Sequence, residues 1–188
     1  MCTSYRLLAE NNDELSAILR QIHADYPDVA VTTGRVAPSQ TAAVLTARGA
    51  RPMTFGMHLP GKKGLLLNAR SERADQSPLF APLLHSSRCL VPASDFYEWS
   101  ATKEAYLFEP KQERTLYMAG LYVEDQPFPR FVIITREADE QVAPVHGRMP
   151  LLLASPELRH AWLHAPQLAL ALLRSQPDVP LGRRPEQK

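Results

Sequence analysis

Proline sets the scale on which this chain can fold. Seventeen of its 188 residues are proline, against eight glycines, and several of them end apolar runs, as Pro92 does after Leu90 and Val91. Each proline holds its φ near one value and removes a backbone donor, so regular elements are cut short and joined by fixed turns. Between these breaks lie brief β-like runs around Val29–Thr32, Ala42–Leu45, Leu65–Leu67, Cys89–Val91, Phe96–Trp99, Ala105–Phe108, Leu116–Tyr122, Phe131–Thr135 and Leu151–Leu153. So many short strands, after another short strand at the N-terminus, predict a curled sheet or barrel in a loop-rich mixed fold.

Helical spacing is clearest at Leu15, Ile18, Leu19 and Ile22, with Asn12 or Asn11 as the cap and closure before Pro27. Pro78–His85 and the stretch after Thr135 also read as helical. Ser155-Pro156-Glu157 is a helix start with Ser155 at the cap, and a last helix is predicted over Gln167–Arg174. From Gln176 to Lys188 three prolines and charged residues leave almost no apolar pattern, which predicts a disordered tail. The expectation is one domain over residues 1–175 with a tail over 176–188.

Leu7 and Leu8 run at once into Glu10, Asn11, Asn12 and Asp13, and no apolar run approaches the roughly 20 residues that span a bilayer. That predicts a soluble cytoplasmic protein with no membrane partner. A net charge of +1 excludes a broad electropositive coat, so any nucleic-acid contact must be local. Cys2 and Cys89 are the only cysteines and lack C-x-x-C spacing, which argues against a disulfide scaffold or a cysteine zinc site. Cys89, in an apolar strand, reads as a buried core thiol. His160 and His164 have the spacing of helical metal ligands but no acidic third ligand, so they read as surface residues with Trp162 between them packing inward. Neither a metal nor an organic cofactor is predicted.

Cysteine directly after the initiator methionine carries the most chemistry. Once Met1 is removed, Cys2 presents an amine and a thiol on one residue. The amine can condense with an aldehyde to an imine, and the thiol can add to the same carbon to close a thiazolidine ring. With a reference pKa of ~7.7–8.0, an α-amine is partly neutral near pH 7 without any perturbation. Three further segments bear polar groups suited to a site. Leu65-Leu66-Leu67 ends abruptly in Asn68, Arg70 and Glu72; Glu98 stands between Tyr97 and Trp99, where desolvation raises a carboxyl pKa as a general acid requires; and His146 and Arg148 share a proline-bounded loop.

These segments in this order resemble the SRAP family, the SOS response associated peptidases. The resemblance runs from Cys2 to about Leu153 and is carried by Met1-Cys2, Ala37-Pro38-Ser39-Gln40, Asn68-Ala69-Arg70-Ser71-Glu72, Arg88-Cys89-Leu90-Val91-Pro92-Ala93, Phe96-Tyr97-Glu98-Trp99, Ala119-Gly120-Leu121, Ala143-Pro144-Val145-His146 and Arg148-Met149-Pro150. It implies an α+β fold of curled, partly barrel-like β-sheets flanked by helices, with a positively charged cleft for single-stranded DNA containing abasic sites. It places the catalytic cysteine, asparagine, glutamate and histidine on Cys2, Asn68, Glu98 and His146, working as a monomer without cofactor and associated with the nucleoid when bound to DNA.

By this resemblance Glu98 transfers the proton that opens the sugar, Asn68 orients the amine or sugar, and His146 shuttles protons during imine formation, reversal or β-elimination. Arg70 and Arg148 hold flanking phosphates. Members commonly carry Gly-Arg after the cysteine, where Thr3-Ser4 stand here, and a tryptophan where Thr54-Phe55-Gly56 runs; Phe55 is then the expected base-stacking ring. Two other readings stay open: an N-terminal-nucleophile amidohydrolase, told apart by amide hydrolysis without a DNA adduct, and a non-catalytic single-strand binding module, which binds abasic and intact strands alike.

Overall fold

Runs of short strands are separated by a few helices along the chain. The computed structural model describes residues 3–59, 61, 63–125, 127–175 and 179–186. In chain order the elements are β1 (Tyr5–Leu7), α1 (Asp13–Asp25), β2 (Gly34–Val36), β3 (Thr41–Thr46), β4 (Gly49–Phe55), β5 (Met57–His58), β6 (Leu65–Leu66), β7 (Asn68–Arg70), α2 (Ser71–Ala74), α3 (Ala81–Ser86), β8 (Arg88–Ala93), β9 (Asp95–Trp99) and β10 (Ala105–Pro110). There follow β11 (Leu116–Val123), β12 (Arg130–Glu137), β13 (Arg148–Pro150), α4 (Pro156–His164), α5 (Pro166–Leu172) and β14 (Leu181–Pro185).

The strands form two main sheets. One has the order β14-β10-β9-β1-β2; the other runs β11-β8-β3-β4-β12-β13, with β7 also on β12. Because β11 pairs with β12 as well as β8, the second sheet closes a circuit through β8, β3, β4 and β12. The curled, partly barrel-like architecture expected from the sequence is therefore present. β12 shows why its run is apolar at every position: Phe131 and Ile133 face one hydrophobic cluster, while Val132 and Ile134 face a second. A strand covered on both faces needs no polar alternation.

Caps fix the helices. The Asn12 side chain accepts from Leu15 N at 3.1 Å and donates to Arg114 O at 3.0 Å, starting α1 and tying it to the chain before β11. Ser155 caps α4 through Leu158 N at 3.3 Å. The buried Arg88 guanidinium donates to Leu84 O near the end of α3 and to Trp162 O and Leu163 O near the end of α4, where orphan carbonyls and the helix dipole favour a cation. Trp162 packs inward and donates its indole N–H to Cys89 O at 2.9 Å. Cys89 is buried, which pushes its thiol pKa up. No helix among the described residues is long and apolar enough to cross a membrane.

Some elements differ from the sequence expectation. Val29–Thr32 lies outside any strand, and β2 begins at Gly34. After Thr135 the chain continues as β12 to Glu137 and then turns, where a helix was expected. Leu151–Leu153 contributes one isolated bridge, Met118 to Leu152. The tail read as disordered contains β14, which pairs antiparallel with β10 along its length. Val179 and Leu181 join the core, and Leu181 N donates to Gln141 Oε1 at 2.7 Å, so two apolar side chains and a ladder suffice to order it. Gln176, Pro177, Asp178, Gln187 and Lys188 of that tail lie outside the described residues.

Candidate active site around Glu98 and His146

Glu98 is wholly buried on β9. Side chains alternate across a strand, so Glu98 points with Phe96 into the molecule, where Phe96 stacks on Phe108 at 5.2 Å. Tyr97 and Trp99 lie on the opposite face. They stack on one another at 5.9 Å, and the Arg35 guanidinium lies 4.6 Å from the Tyr97 ring. The aromatic neighbours in sequence are therefore not what desolvates the carboxyl; the inner face of the sheet does so. Burial pushes the Glu98 pKa up to about 7, because the charged form loses its hydration.

His146 reaches this carboxyl from a separate loop, with Nδ1 3.4 Å from Glu98 Oε2. The loop leaves β12 and is held by several local bonds. Asp139 Oδ1 accepts from Gln141 N and Val142 N, Val142 O accepts from His146 N at 3.1 Å, and Ala138 N donates to Gly147 O at 3.1 Å. Val142 is buried beneath it. His146 Nδ1 also lies 3.0 Å from Arg148 N and 3.1 Å from Arg148 O, so the loop backbone fixes the ring edge. The imidazole edge is thus shared between a backbone donor and the buried carboxyl.

Asn68 and Arg70 stand on β7, which runs parallel to β12 with Asn68 opposite Ile133 and Arg70 opposite Thr135. Asn68 is buried at the edge of an open groove of about 630 Å³ lined also by Arg70, Arg73, Gln76, Ser77 and Phe80. Arg70 is exposed. Two residues on, Glu72 holds the Arg148 guanidinium at 2.6 and 3.0 Å and accepts from Glu137 N at 3.2 Å. Arg148 also donates to Thr135 O at 2.7 Å. This link joins the β7 segment to the histidine loop, and Arg148 pulls the Glu72 carboxyl below its usual range. Glu72 stood within the polar run ending β7, but its pairing with Arg148 has no signature in sequence.

Met1 and Cys2 lie outside the described residues. The first described strand lies beside Glu98's own strand: β1 pairs with β9, Tyr5 opposite Phe96, and Ser4 O accepts from Tyr97 N at 3.1 Å. Continued in the same register, the ladder would bring Thr3 level with Glu98. Phe55 requires a correction. Its ring has no exposed surface and packs on Phe131 at 5.1 Å and Tyr5 at 6.1 Å, so it offers no face to a base. It supports β1 from below instead. Among the described residues no group of three or more metal-ligating side chains comes together; His160 and His164 stack on one another at 4.5 Å on the exposed side of α4.

Solved structures share this architecture. A protein from Bordetella bronchiseptica superposes with a TM-score of 0.77 at 22% identity over 100% of both chains, and one from Bacteroides thetaiotaomicron with 0.72 at 21% over 92% of this chain and 84% of its own. Among sequence relatives, the abasic site processing protein YoqW of Bacillus subtilis (strain 168) is 30% identical over 87% of this chain and 80% of its own length. YedK of Escherichia coli (strain K12), named an abasic site processing protein, is 29% identical over 87% and 79%, and HMCES of Gallus gallus, similarly named, is 29% identical over 60% and 43%. Residues 1–182 match the family described as SOS response associated peptidase, and with that span including β1, β7, β9 and the histidine loop, the chain belongs to the SRAP family.

Proposed function

We propose that this chain processes abasic sites in single-stranded DNA by bonding covalently to the sugar aldehyde through Cys2, after removal of Met1. The observation that carries this reading is the buried Glu98 carboxyl, with a pKa of about 7 and 3.4 Å from His146 Nδ1, on the strand β9 that pairs with β1. A carboxyl with that pKa is populated in both protonation states near neutrality, as a group that must both give and take protons requires. The names of the relatives support abasic sites as the lesion.

Chemistry then proceeds in two bond-forming stages. Glu98 protonates the ring oxygen of the closed sugar as its hydroxyl proton is lost, opening it to the aldehyde. The Cys2 amine adds to that carbon and water leaves, giving an imine. The thiol sulfur then bonds to the same carbon while its proton passes to nitrogen, closing the thiazolidine. His146 carries protons between these steps, in either direction, and the imine stage is also the point from which β-elimination of the strand departs. Asn68 at the groove edge orients the sugar or the amine. Arg70 takes a phosphate directly. Arg148 takes one by exchanging it for Glu72, an exposed partner whose pairing contributes little in water. The same acid and base groups can assist the thiol in releasing Met1.

A denaturing gel tests the reading. Protein beginning at Cys2, mixed with a single strand containing one aldehyde-bearing abasic site, should give a band of retarded mobility without added reductant. Cys2→Ala keeps the amine but lacks the thiol, so its imine should survive only after borohydride trapping. No retarded band from the unsubstituted protein would refute the covalent mechanism, and a stable Cys2→Ala adduct would refute the thiazolidine.

A further inference from the structure

We propose that β14 and β10 supply a second cationic contact to the substrate strand, with Arg183 binding a phosphate beside the reacting sugar and Tyr106 holding the guanidinium in place. This rests on the reading of the chain as a protein that binds single-stranded DNA at Glu98. Register carries the placement. Tyr106 on β10 is the direct partner of Glu98 on β9, and on its other side β10 pairs with β14, Tyr106 with Pro185 and Phe108 with Arg183. Directly paired residues of antiparallel strands share a face. Glu98, Tyr106 and Arg183 therefore line one side of the sheet, and two strand spacings put β14 roughly 10 Å from β9.

The side chains agree with this placement. The Arg183 guanidinium is 5.8 Å from the Tyr106 ring centroid, within the range of a cation–π contact. Tyr106 is half-buried and Arg183 exposed, so the pair continues the buried site outward to solvent. Among the described residues Arg183 forms no ion pair, whereas its neighbours in the same sheet are paired: Arg6 with Asp95, Arg35 with Glu186 and Arg184 with Glu109. Those pairs lie on the opposite face by alternation. An exposed guanidinium with no carboxylate beside it, stacked on a ring, presents its planar fork to a phosphate.

The test uses a single strand bearing a tetrahydrofuran abasic analogue, which has no aldehyde, so that equilibrium binding is read without covalent capture. Arg183→Gln should weaken binding roughly three- to tenfold and make the log–log salt dependence shallower by about 0.7. Arg183→Lys should restore the slope but not the full affinity, because it keeps the charge and loses the fork. Tyr106→Leu should weaken binding in the unsubstituted background and have little further effect beside Arg183→Gln. An Arg183→Gln slope and affinity equal to the unsubstituted protein's would overturn the inference. So would an equal shift from Arg20→Ala on the exposed side of α1, which would mean a diffuse field, or absence of any binding by the unsubstituted protein. Binding that responds to Arg183 without a retarded band on an aldehyde-bearing strand would support this contact while refuting the covalent mechanism.

Discussion

Glu98→Gln keeps the shape of the buried side chain and abolishes its ionisation, so it isolates the cost of burying this carboxyl. Its pKa stands at about 7 in the fold against an ordinary value of 4.5. Below pH 4.5 the group is neutral in both folded and unfolded chains, and the stabilisation from its raised pKa is fully present. As pH rises through 4.5 the unfolded chain ionises while the folded one does not, and the fold loses stability until about pH 7. At 1.36 kcal/mol for each pH unit, the loss is about 3 kcal/mol. Glutamine never ionises, so the variant escapes it. For a chain of this size each 1 kcal/mol moves Tm by about 2–4 °C, so the advantage of Glu98→Gln in thermal melts should grow from near zero at pH 4.5 to roughly 6–12 °C at pH 8. A Tm difference that stays constant across that range would refute the burial argument. Crosslinking by the same variant should slow by at least ~10², the trade between stability and activity expected where a site keeps a charge in an apolar place.

His146→Gln preserves a polar side chain beside Glu98 but cannot carry a proton; adduct formation at saturating DNA should slow roughly 10²-fold while equilibrium binding of the tetrahydrofuran strand changes little, and a defect confined to binding would reverse the assignment. Gly120→Ala should destabilise the protein by about 1–3 kcal/mol in denaturant titrations, because the added Cβ would stand 2.9 Å from Cys89 Sγ and 3.0 Å from Val132 O; a neutral substitution would show that β11 can move away from β8 and β12.

How much of the fold was legible follows from how local each signal is. The helix α1 was readable because its cap, its apolar spacing and its stop before Pro27 are contained within one segment, and Asn12 caps it as its chemistry suggests. The apolar runs of β8, β11 and β12 were readable for a similar reason, each being covered on both faces. β4 and β7 were not. β4, with the sequence Gly49-Ala-Arg-Pro-Met-Thr-Phe55, contains Pro52 and lacks a continuous apolar run, and its strand state depends on β3 and on a short parallel contact with β12. β7 offers only three residues, two of them polar, and depends on parallel pairing with the buried middle of β12. β14 carries two arginines and a proline, so composition read it as tail; the partner that orders it, β10, is more than seventy residues earlier in the chain.

The site divides along the same line. That Glu98 would be buried and its pKa raised was readable, but the reason was not: sequence neighbours suggested desolvation by Tyr97 and Trp99, whereas alternation sends those rings to the far face. Sequence adjacency and spatial adjacency are opposed in a strand, since residues i and i+1 diverge while i and i+2 converge. Phe55 failed for a related reason. Its place in a motif suggested an exposed ring, yet it ends a strand beneath Tyr5 and Phe131, where a flat ring fills the core under β1. The His146–Glu98 and Arg148–Glu72 contacts bridge segments far apart in sequence, so no spacing rule could have announced them; only the motif order placed them in one site. Arg183 and Tyr106 lay beyond any motif. They come together only when register carries the face of Glu98 across β10 to β14, a relation between strands that no local pattern in the sequence encodes.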